Sequence, residues 1–364
     1  MKDSKRMPDN LISAQHPGDV SRATLVHVAR LAGVGLGTAS RALADGKRVS
    51  ADTIQRVTEA ATRLGYRRNE MARSLKVRRS GAVGIVIPDI YGAFIATCLR
   101  AAQAVIRENK YISVFAFTDD DPAVEISEVD YLVRRQVDGL LIIPAGGGAR
   151  SLLERQLLQS TPLVSFDQPI SGLDVDEVLV SNQAGAEKAT RHMIEHGHKS
   201  IVYVSIDRQV PTLRARLKGY RRAMRSAGLQ ETIAQLGPNG EGAEELVDSW
   251  LRSKRPPTAL FSANEKTSLE ILPVLAMRDV QVPDQLALIA FDDVQLGLVL
   301  RSPLTVMRQP AAELGHRAAT LLMERVMGKN DIPPRRIVLD AELVIRQSCG
   351  CPPPSIETLA RGRE

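Results

Sequence analysis

The strongest constraint on this chain is a series of short apolar runs between residues 82 and 291. AVGIVIP, ISVFAF, GLLIIP, PLVSF, VLVS, IVYVS, ALFSA and LALIAF follow one another, each too short for most buried helices. Continuous apolar runs of this length suit parallel strands covered on both faces. Helical patterns such as GAFIATCLRAAQAVIREN and NQAGAEKATRHMIEHGH lie between them. Repeated strand–helix units imply an α/β body with doubly wound parallel sheets. The runs are too many for one comfortable sheet, so the body is expected to split near Ser181 into two lobes, with a late return across the boundary.

A chain of 364 residues has room for two or three domain-sized units and a large core. With 44% hydrophobic and 25% charged residues it has the make-up of an ordinary soluble protein. No stretch reaches the roughly 18 consecutive apolar residues of a membrane span. The opening MKDSKRMPDNLISAQHPGDVSR has no apolar secretion core and reads as a disordered tail over 1–22, so a cytoplasmic location is expected. Three cysteines make no disulfide framework. Cys98 reads as a small apolar filler on a helix, and the Cys349-x-Cys351 pair has no second pair to complete a zinc tetrad.

Charge is segregated. Residues 1–80 hold 16 lysines and arginines against 7 acids, whereas residues 81–364 hold 32 against 35. A basic module joined to a slightly acidic body points to a polyanionic partner for the N-terminal part alone. Within that module, LAGVGLGTASRAL poses a choice between a phosphate-cradling loop and a tight helical corner. The dinucleotide fingerprint fails because Thr38 stands where a third glycine belongs, and no Gly-Lys-Ser/Thr follows for a Walker loop. Upstream, Leu25, Val28, Ala29 and Ala32 form the stripe of an amphipathic helix, with Thr24 placed to cap it.

Three helices follow from this pattern: Leu25–Ala32 ending at Gly33, Leu36–Leu43, and a third capped by Ser50 with Ile54, Val57, Ala61 and Leu64 as its buried stripe. Two short helices at a glycine corner and a supporting third make a helix-turn-helix. The second helix turns Ala39, Ala42 and Leu43 inward and Leu36, Gly37, Ser40 and Arg41 outward. Arg41 suits paired hydrogen bonds to a guanine edge, and Leu36 suits a thymine methyl. Thr38, Ser40 and Ser50 offer hydroxyls to phosphates.

TLVHVARLAGVGLGTASRAL, followed by VSADTIQRVTEAATRLGYRRNEMARSL, closely resembles the head of the lactose-repressor/galactose-repressor family, and the similarity continues to ELVIRQSCGC. Gly35 stands where that family usually opens its recognition helix with serine. Leu36 and Gly37 fill two specificity positions that are often polar, and Arg68 replaces a usual proline. The resemblance implies DNA contacts at Thr24, Leu36, Gly37, Thr38, Ser40, Arg41 and Ser50. It also implies a hinge helix contacting DNA through Asn69, Ala72, Arg73, Leu75 and Lys76, with Leu75 inserted as an apolar wedge in the minor groove. The implied layout is a head over 23–68, a hinge over 69–80, a two-lobed periplasmic-binding-protein type I body over 81–350 and a tail over 351–364. Lobe one is expected to take 81–180 and 309–330, and lobe two 181–308 and 331–350.

In such a body a small-molecule effector sits between the lobes, at the C-terminal ends of the strands. Asp167 and Asp292 end strands, Asn264 ends ALFSAN, Phe94 opens a helix, and Arg214 and Arg216 both precede GYRRAM, with the choice between them open. Carboxylates and arginines at separate strand ends suit sugar hydroxyls, and an aromatic face suits a ring. Asn264 and Asp292 also have a capping reading, and Phe94 a core reading. The expected effector is a sugar, sugar acid or sugar derivative. No nucleophile elbow or phosphate loop supports an enzyme. His192, His196 and His198 lack a fourth metal ligand and a second shell, so no metal or cofactor is expected. One short recognition helix reads a half-site, which implies a homodimer on a palindromic double-stranded operator. The tail PPPSIETLARGRE has no heptad repeat to build a coiled coil.

Overall fold

The computed structural model describes residues 23–44, 48–66, 79–145, 161–208, 210–298, 300–329 and 331–352. The tail expected over 1–22, the hinge positions Asn69, Ala72, Arg73, Leu75 and Lys76, and residues 353–364 lie outside the described residues. The chain divides into two compact units, residues 1–78 and 79–364.

The first unit carries α1 (Leu25–Ala32), α2 (Leu36–Ala42) and α3 (Ala51–Arg63). Gly33 ends α1 with φ 64°, a left-handed turn that any side chain would strain. Ser50 caps α3, its Oγ accepting from the Thr53 N–H at 3.3 Å. Val28, Ala29 and Ala32 pack with Ala39, Ala42, Val57, Ala60 and Ala61 in one small core. Small side chains let three short helices approach closely. Leu64, expected in the buried stripe, is 36% exposed, because α3 ends at Arg63 and Ala60 fills that place instead.

In the second unit, sheet one holds β1 (Ala82–Ile87), β2 (Ile112–Phe117), β3 (Leu140–Ile142), β4 (Leu163–Asp167), β5 (Asp176–Val180) and β11 (Arg336–Leu339). Their order is β11-β5-β4-β3-β1-β2, all parallel. Sheet two holds β6 (Ile201–Ile206), β7 (Thr232–Leu236), β8 (Ala259–Ser262), β9 (Ala287–Phe291), β10 (Thr305–Arg308) and β12 (Glu342–Val344). Its order, β12-β10-β9-β8-β6-β7, repeats the first, except that β12 runs antiparallel to β10. The expected doubly wound parallel sheets are therefore present, with one antiparallel edge.

Among the described residues seven α-helices cover the sheets: α4 (Ala93–Glu108), α5 (Pro122–Arg134), α6 (Asn182–Glu195), α7 (Pro211–Ser226), α8 (Ala243–Leu251), α9 (Glu265–Met277) and α10 (Ala311–Val326). The chain crosses between lobes three times. It leaves lobe one after β5 at Ser181, and it returns after β10 so that α10 packs on α4. At that crossing a Cβ on Gly315 would stand 2.0 Å from the Cys98 carbonyl oxygen, so the close approach requires glycine. The last crossing follows β11. Residues 331–339 thus belong to lobe one, correcting the expected return at 331. Asp176, the first residue of β5, explains this placement: its buried carboxylate accepts from Arg325 Nε at 2.7 Å and from the Arg335 N–H at 2.7 Å, which holds the start of β11 against β5. The first and third crossings are tied together, Ser181 Oγ donating to Asp340 Oδ1 at 2.9 Å. Among the described residues no helix is long and apolar enough to cross a membrane.

Candidate functional site

Two places in the structure collect the residues singled out above. In the head, α2 presents Leu36 at 51% exposure, beside exposed Gly37 and Arg41 and half-buried Thr38 and Ser40. Ala39 and Ala42 are buried beneath them. The apolar underside thus fixes which face α2 offers. A Cβ at Gly35 or Gly37 would meet nothing within 4 Å, so packing requires glycine at neither. Among the described residues Arg41 reaches Thr38 Oγ1, at a long 3.5 Å. Thr24 precedes α1, and its N–H donates to His27 Nδ1 at 3.3 Å. Exposed Ser50 is engaged with Thr53 as the α3 cap.

In the body, a cavity of about 400 Å³ opens between the lobes and is lined by Phe94, Asp167, Arg216, Asn264 and Asp292. Arg214 is exposed and is not among the lining residues, whereas Arg216 is 4% exposed. The helical turn between the two arginines points them to different sides. A cavity of similar size beside it, at the start of α6, shares only Asp167 and Thr212 with this cleft and lacks the other strand-end groups.

Asp167 ends β4 and Asp292 follows β9, equivalent strands in the two sheet orders. Both hold left-handed backbone, φ 62° and 86°. Non-glycine residues in this region are uncommon and gather at functional sites, although aspartate tolerates it better than most. Asp292 is fixed on two sides: Oδ1 accepts from Gln309 Nε2 at 2.5 Å and Oδ2 from the Glu265 N–H at 3.1 Å. Its capping reading therefore holds for α9 rather than for a following helix. Arg216 Nε donates to Asn182 Oδ1 at 2.7 Å and Nη1 to the Ala263 carbonyl at 2.9 Å, and the guanidinium lies 3.8 Å from the centre of the Phe291 ring. Asn264 lines the cleft while its Oδ1 caps α9 at Thr267 N, 3.1 Å away.

Several groups in this cleft were missed in the sequence. Asp120, after β2, pairs with Arg208, after β6, and so joins the lobes. Glu265 Oε1 accepts from the Ala93 N–H at the start of α4, 3.2 Å away, a second interlobe link. The strand-end rule that found Asp167 and Asp292 applies equally to Asp120 in FTDDD. Gln309 follows β10, whose TVMR lacks a long apolar run. Four buried oxygens of the cavity wall, Asp120 Oδ1, Asp167 Oδ1, Gln168 Oε1 and Gln309 Oε1, accept no hydrogen bond from the described residues. Burial pushes the Asp167 carboxyl up to about 6 against the pull of Arg216. Burial likewise raises Asp120 and Glu265.

Away from the cleft, the cysteines and histidines, each short of ligands when taken alone, come together. Cys349 and Cys351 lie against His192 and His196 at the end of α6, and Thr305 Oγ1 donates to Cys349 Sγ at 3.1 Å. His198 stands apart, beside Thr258 Oγ1 at 3.2 Å.

Comparison with known proteins matches two family models: bacterial regulatory proteins of the lacI family over residues 24–69, and a periplasmic binding protein-like domain over residues 190–349. The ribose operon repressor of Haemophilus influenzae is 28% identical over 329 residues, covering 90% of this chain and 98% of that protein. The transcriptional repressor CytR of Escherichia coli is 29% identical over 329 residues, covering 90% and 96%. Among solved structures, a lac repressor dimer bound to operator and an anti-inducer superposes with a TM-score of 0.79 at 20% identity, covering 90% of this chain and 99% of that one.

Proposed function

Because the chain belongs to the lacI family of transcriptional regulators, with a periplasmic-binding-protein-like effector domain, we propose that it is a repressor whose operator affinity is set by a hydroxyl-rich small molecule in the interlobe cleft. It is a regulator, not an enzyme. The outward face of α2 reads base edges through Arg41 and Leu36, while Thr24, Thr38, Ser40 and Ser50 hold phosphates; Gly37 leaves space in place of a contact. Asn69, Ala72, Arg73, Leu75 and Lys76 are proposed to complete the grip as a hinge, with Leu75 opening the central step.

The observation that carries the effector reading is the excess of buried acceptors in the cleft. Four orphaned oxygens call for a ligand that donates hydrogen bonds. Six carboxylates against three cations line the same wall, Arg216 being already engaged by Asn182 and Ala263. Sugars and nucleosides meet this demand, whereas an anionic sugar acid meets it poorly. The ribose operon repressor among the relatives is consistent with a sugar. Effector contact is proposed for Phe94, Asp167, Arg216, Asn264 and Asp292, and not for Arg214.

A homodimer on a palindromic operator fits the exposed edge of sheet one, where β2 carries Ile112, Val114, Phe115 and Phe117 at 36–65% exposure. An open apolar edge of this kind invites a partner surface. Thermal-shift screening of the full chain against neutral sugars, nucleosides and sugar acids tests the effector reading. A neutral polyol should stabilise the wild type and leave Asp292→Asn unmoved. Stabilisation confined to anionic ligands, or equal stabilisation of both proteins, refutes it.

A further inference from the structure

The effector cleft leaves one cluster of reactive side chains unexplained. His192 and His196 stand four residues apart at the C-terminal end of α6, so both rings project from one face of the last turn. Some 150 residues later the chain passes the same face. Gly350, with φ 88°, turns it there, and its N–H closes the turn on the Gln347 carbonyl at 3.0 Å. That turn aims both flanking sulfurs at the helix end. Cys351 Sγ lies 3.2 Å from His196 Nε2 and 3.5 Å from His192 Nε2, while Cys349 Sγ lies 3.4 Å from His192 Nε2. The donor atoms of His192, Cys349 and Cys351 all fall within 4.8 Å of one another.

These separations have a specific meaning. A tetrahedral zinc ion with bonds of roughly 2.3 Å to sulfur and 2.0–2.1 Å to nitrogen holds neighbouring sulfur and nitrogen ligands about 3.5 Å apart. The three sulfur–nitrogen distances above sit at or just inside that edge length, with His196 joining the group through Cys351. Neither cysteine is in a disulfide. A supporting shell is also present: Thr305 Oγ1 donates to Cys349 Sγ, the Thr305 N–H donates to Ser348 Oγ at 2.8 Å, and Ser348 Oγ donates to the Leu288 carbonyl at 2.6 Å. Ser348 and Thr305 are fully buried, so the loop carrying the sulfurs is clamped to β9 and β10. Outer-shell hydrogen bonds of this kind orient metal ligands.

We propose that His192, His196, Cys349 and Cys351 form a four-coordinate Cys2His2 zinc site. Two thiolates neutralise the divalent charge, and thiolate with imidazole selects zinc over the hard cations calcium and magnesium. With four protein ligands the site is closed, so its role is structural. It fastens the end of the body to α6, the helix that begins with Asn182, the partner of Arg216 in the cleft.

The test uses the untagged full-length chain, purified reduced and stripped of metal with a chelator. Zinc is titrated against a chromophoric competitor, and Co2+ is substituted to read its spectrum. The account expects one equivalent of zinc per chain, a thiolate-to-cobalt charge-transfer band with tetrahedral ligand-field absorption, and a rise in melting temperature on loading. Cys351→Ser and His196→Gln, both at partly or fully exposed positions, should each weaken zinc by more than about 100-fold, beyond the range of outer-shell changes. Cys98→Ser should leave binding unchanged. Zinc that binds either ligand variant as tightly as wild type, or no stoichiometric zinc at all, overturns the proposal. A Cys349–Cys351 disulfide in the reduced, anaerobically handled chain overturns it as well. Should one variant fail to fold, the other carries the same test.

Discussion

Asp167 and Asp292 stand at the ends of equivalent strands in two sheets of matching order, both with left-handed backbone and both facing one cleft. One carboxylate is thus supplied by each lobe. Their surroundings differ: Asp292 accepts from Gln309 and Glu265, whereas Asp167 Oδ1 has no hydrogen-bond partner among the described residues.

That difference gives a pH dependence. Burial raises the Asp167 carboxyl to about 6, above the roughly 3.9 of an unfolded chain. A raised acid binds its proton more tightly when folded, so its stabilisation is complete below about pH 4 and is lost as pH rises through about 6. Urea denaturation should show this decline, and Asp167→Asn should flatten it. Glu125, raised to about 7 by burial, adds a parallel slope that persists in the variant. An unchanged slope between pH 4 and 6 in Asp167→Asn counts against the assignment.

Glu265 carries a charge from α9 to the start of α4, where helix N–H groups favour an anion. Glu265→Ala removes one of the two links between the lobes across the cleft described above. Small-angle scattering of the ligand-free variant should show a more open body, with a larger radius of gyration than wild type. Indistinguishable profiles would show that the Arg208–Asp120 pair suffices.

The Asp176 carboxylate is 1% exposed and serves Arg325 and Arg335 together. Although burial alone would raise it, hydrogen bonds from the two arginines hold its carboxyl below the usual carboxylate range. Asp176→Ala takes the shared carboxylate from Arg325, which is left with backbone carbonyls, and from Arg335, which is left with Glu324, and should cost about 3–5 kcal/mol of unfolding free energy. A loss below about 1 kcal/mol would mean that β11 is held by its ladder alone.

Arg41 is proposed to read a base edge. Arg41→Ala should cost about 1–3 kcal/mol on the preferred duplex and relax selectivity at one position of each half-site. A uniform loss across all sequences would make Arg41 a phosphate contact instead.

Much of this architecture was legible from the residues. Buried strands such as IVYVS and LALIAF are apolar throughout because both faces are covered, and the alanine-rich stripes of the head announce close helix packing. β7, β11 and β12 escaped because edge strands keep exposed, charged or polar positions, as in Arg336 and Glu342. The assignment of 331–339 to the wrong lobe followed directly, since only Asp176 and its arginines reveal where that segment pairs. Asp167 and Asp292 were readable as strand-end groups, whereas Arg214 and Arg216 could not be told apart until the helix showed which of them faces the cleft. The histidine–cysteine cluster was not, because its halves are joined by topology rather than by spacing.

The central claim is that the head and the cleft are thermodynamically coupled. Its most direct measurement is the affinity of full-length protein for a duplex selected from a random pool, with and without the stabilising polyol, alongside polyol affinity with and without that duplex. The account predicts a preference over random competitor, and a change of about 5–150-fold that is the same in both directions, as linkage requires. Absence of sequence preference, or an operator affinity indifferent to saturating polyol, would contradict it.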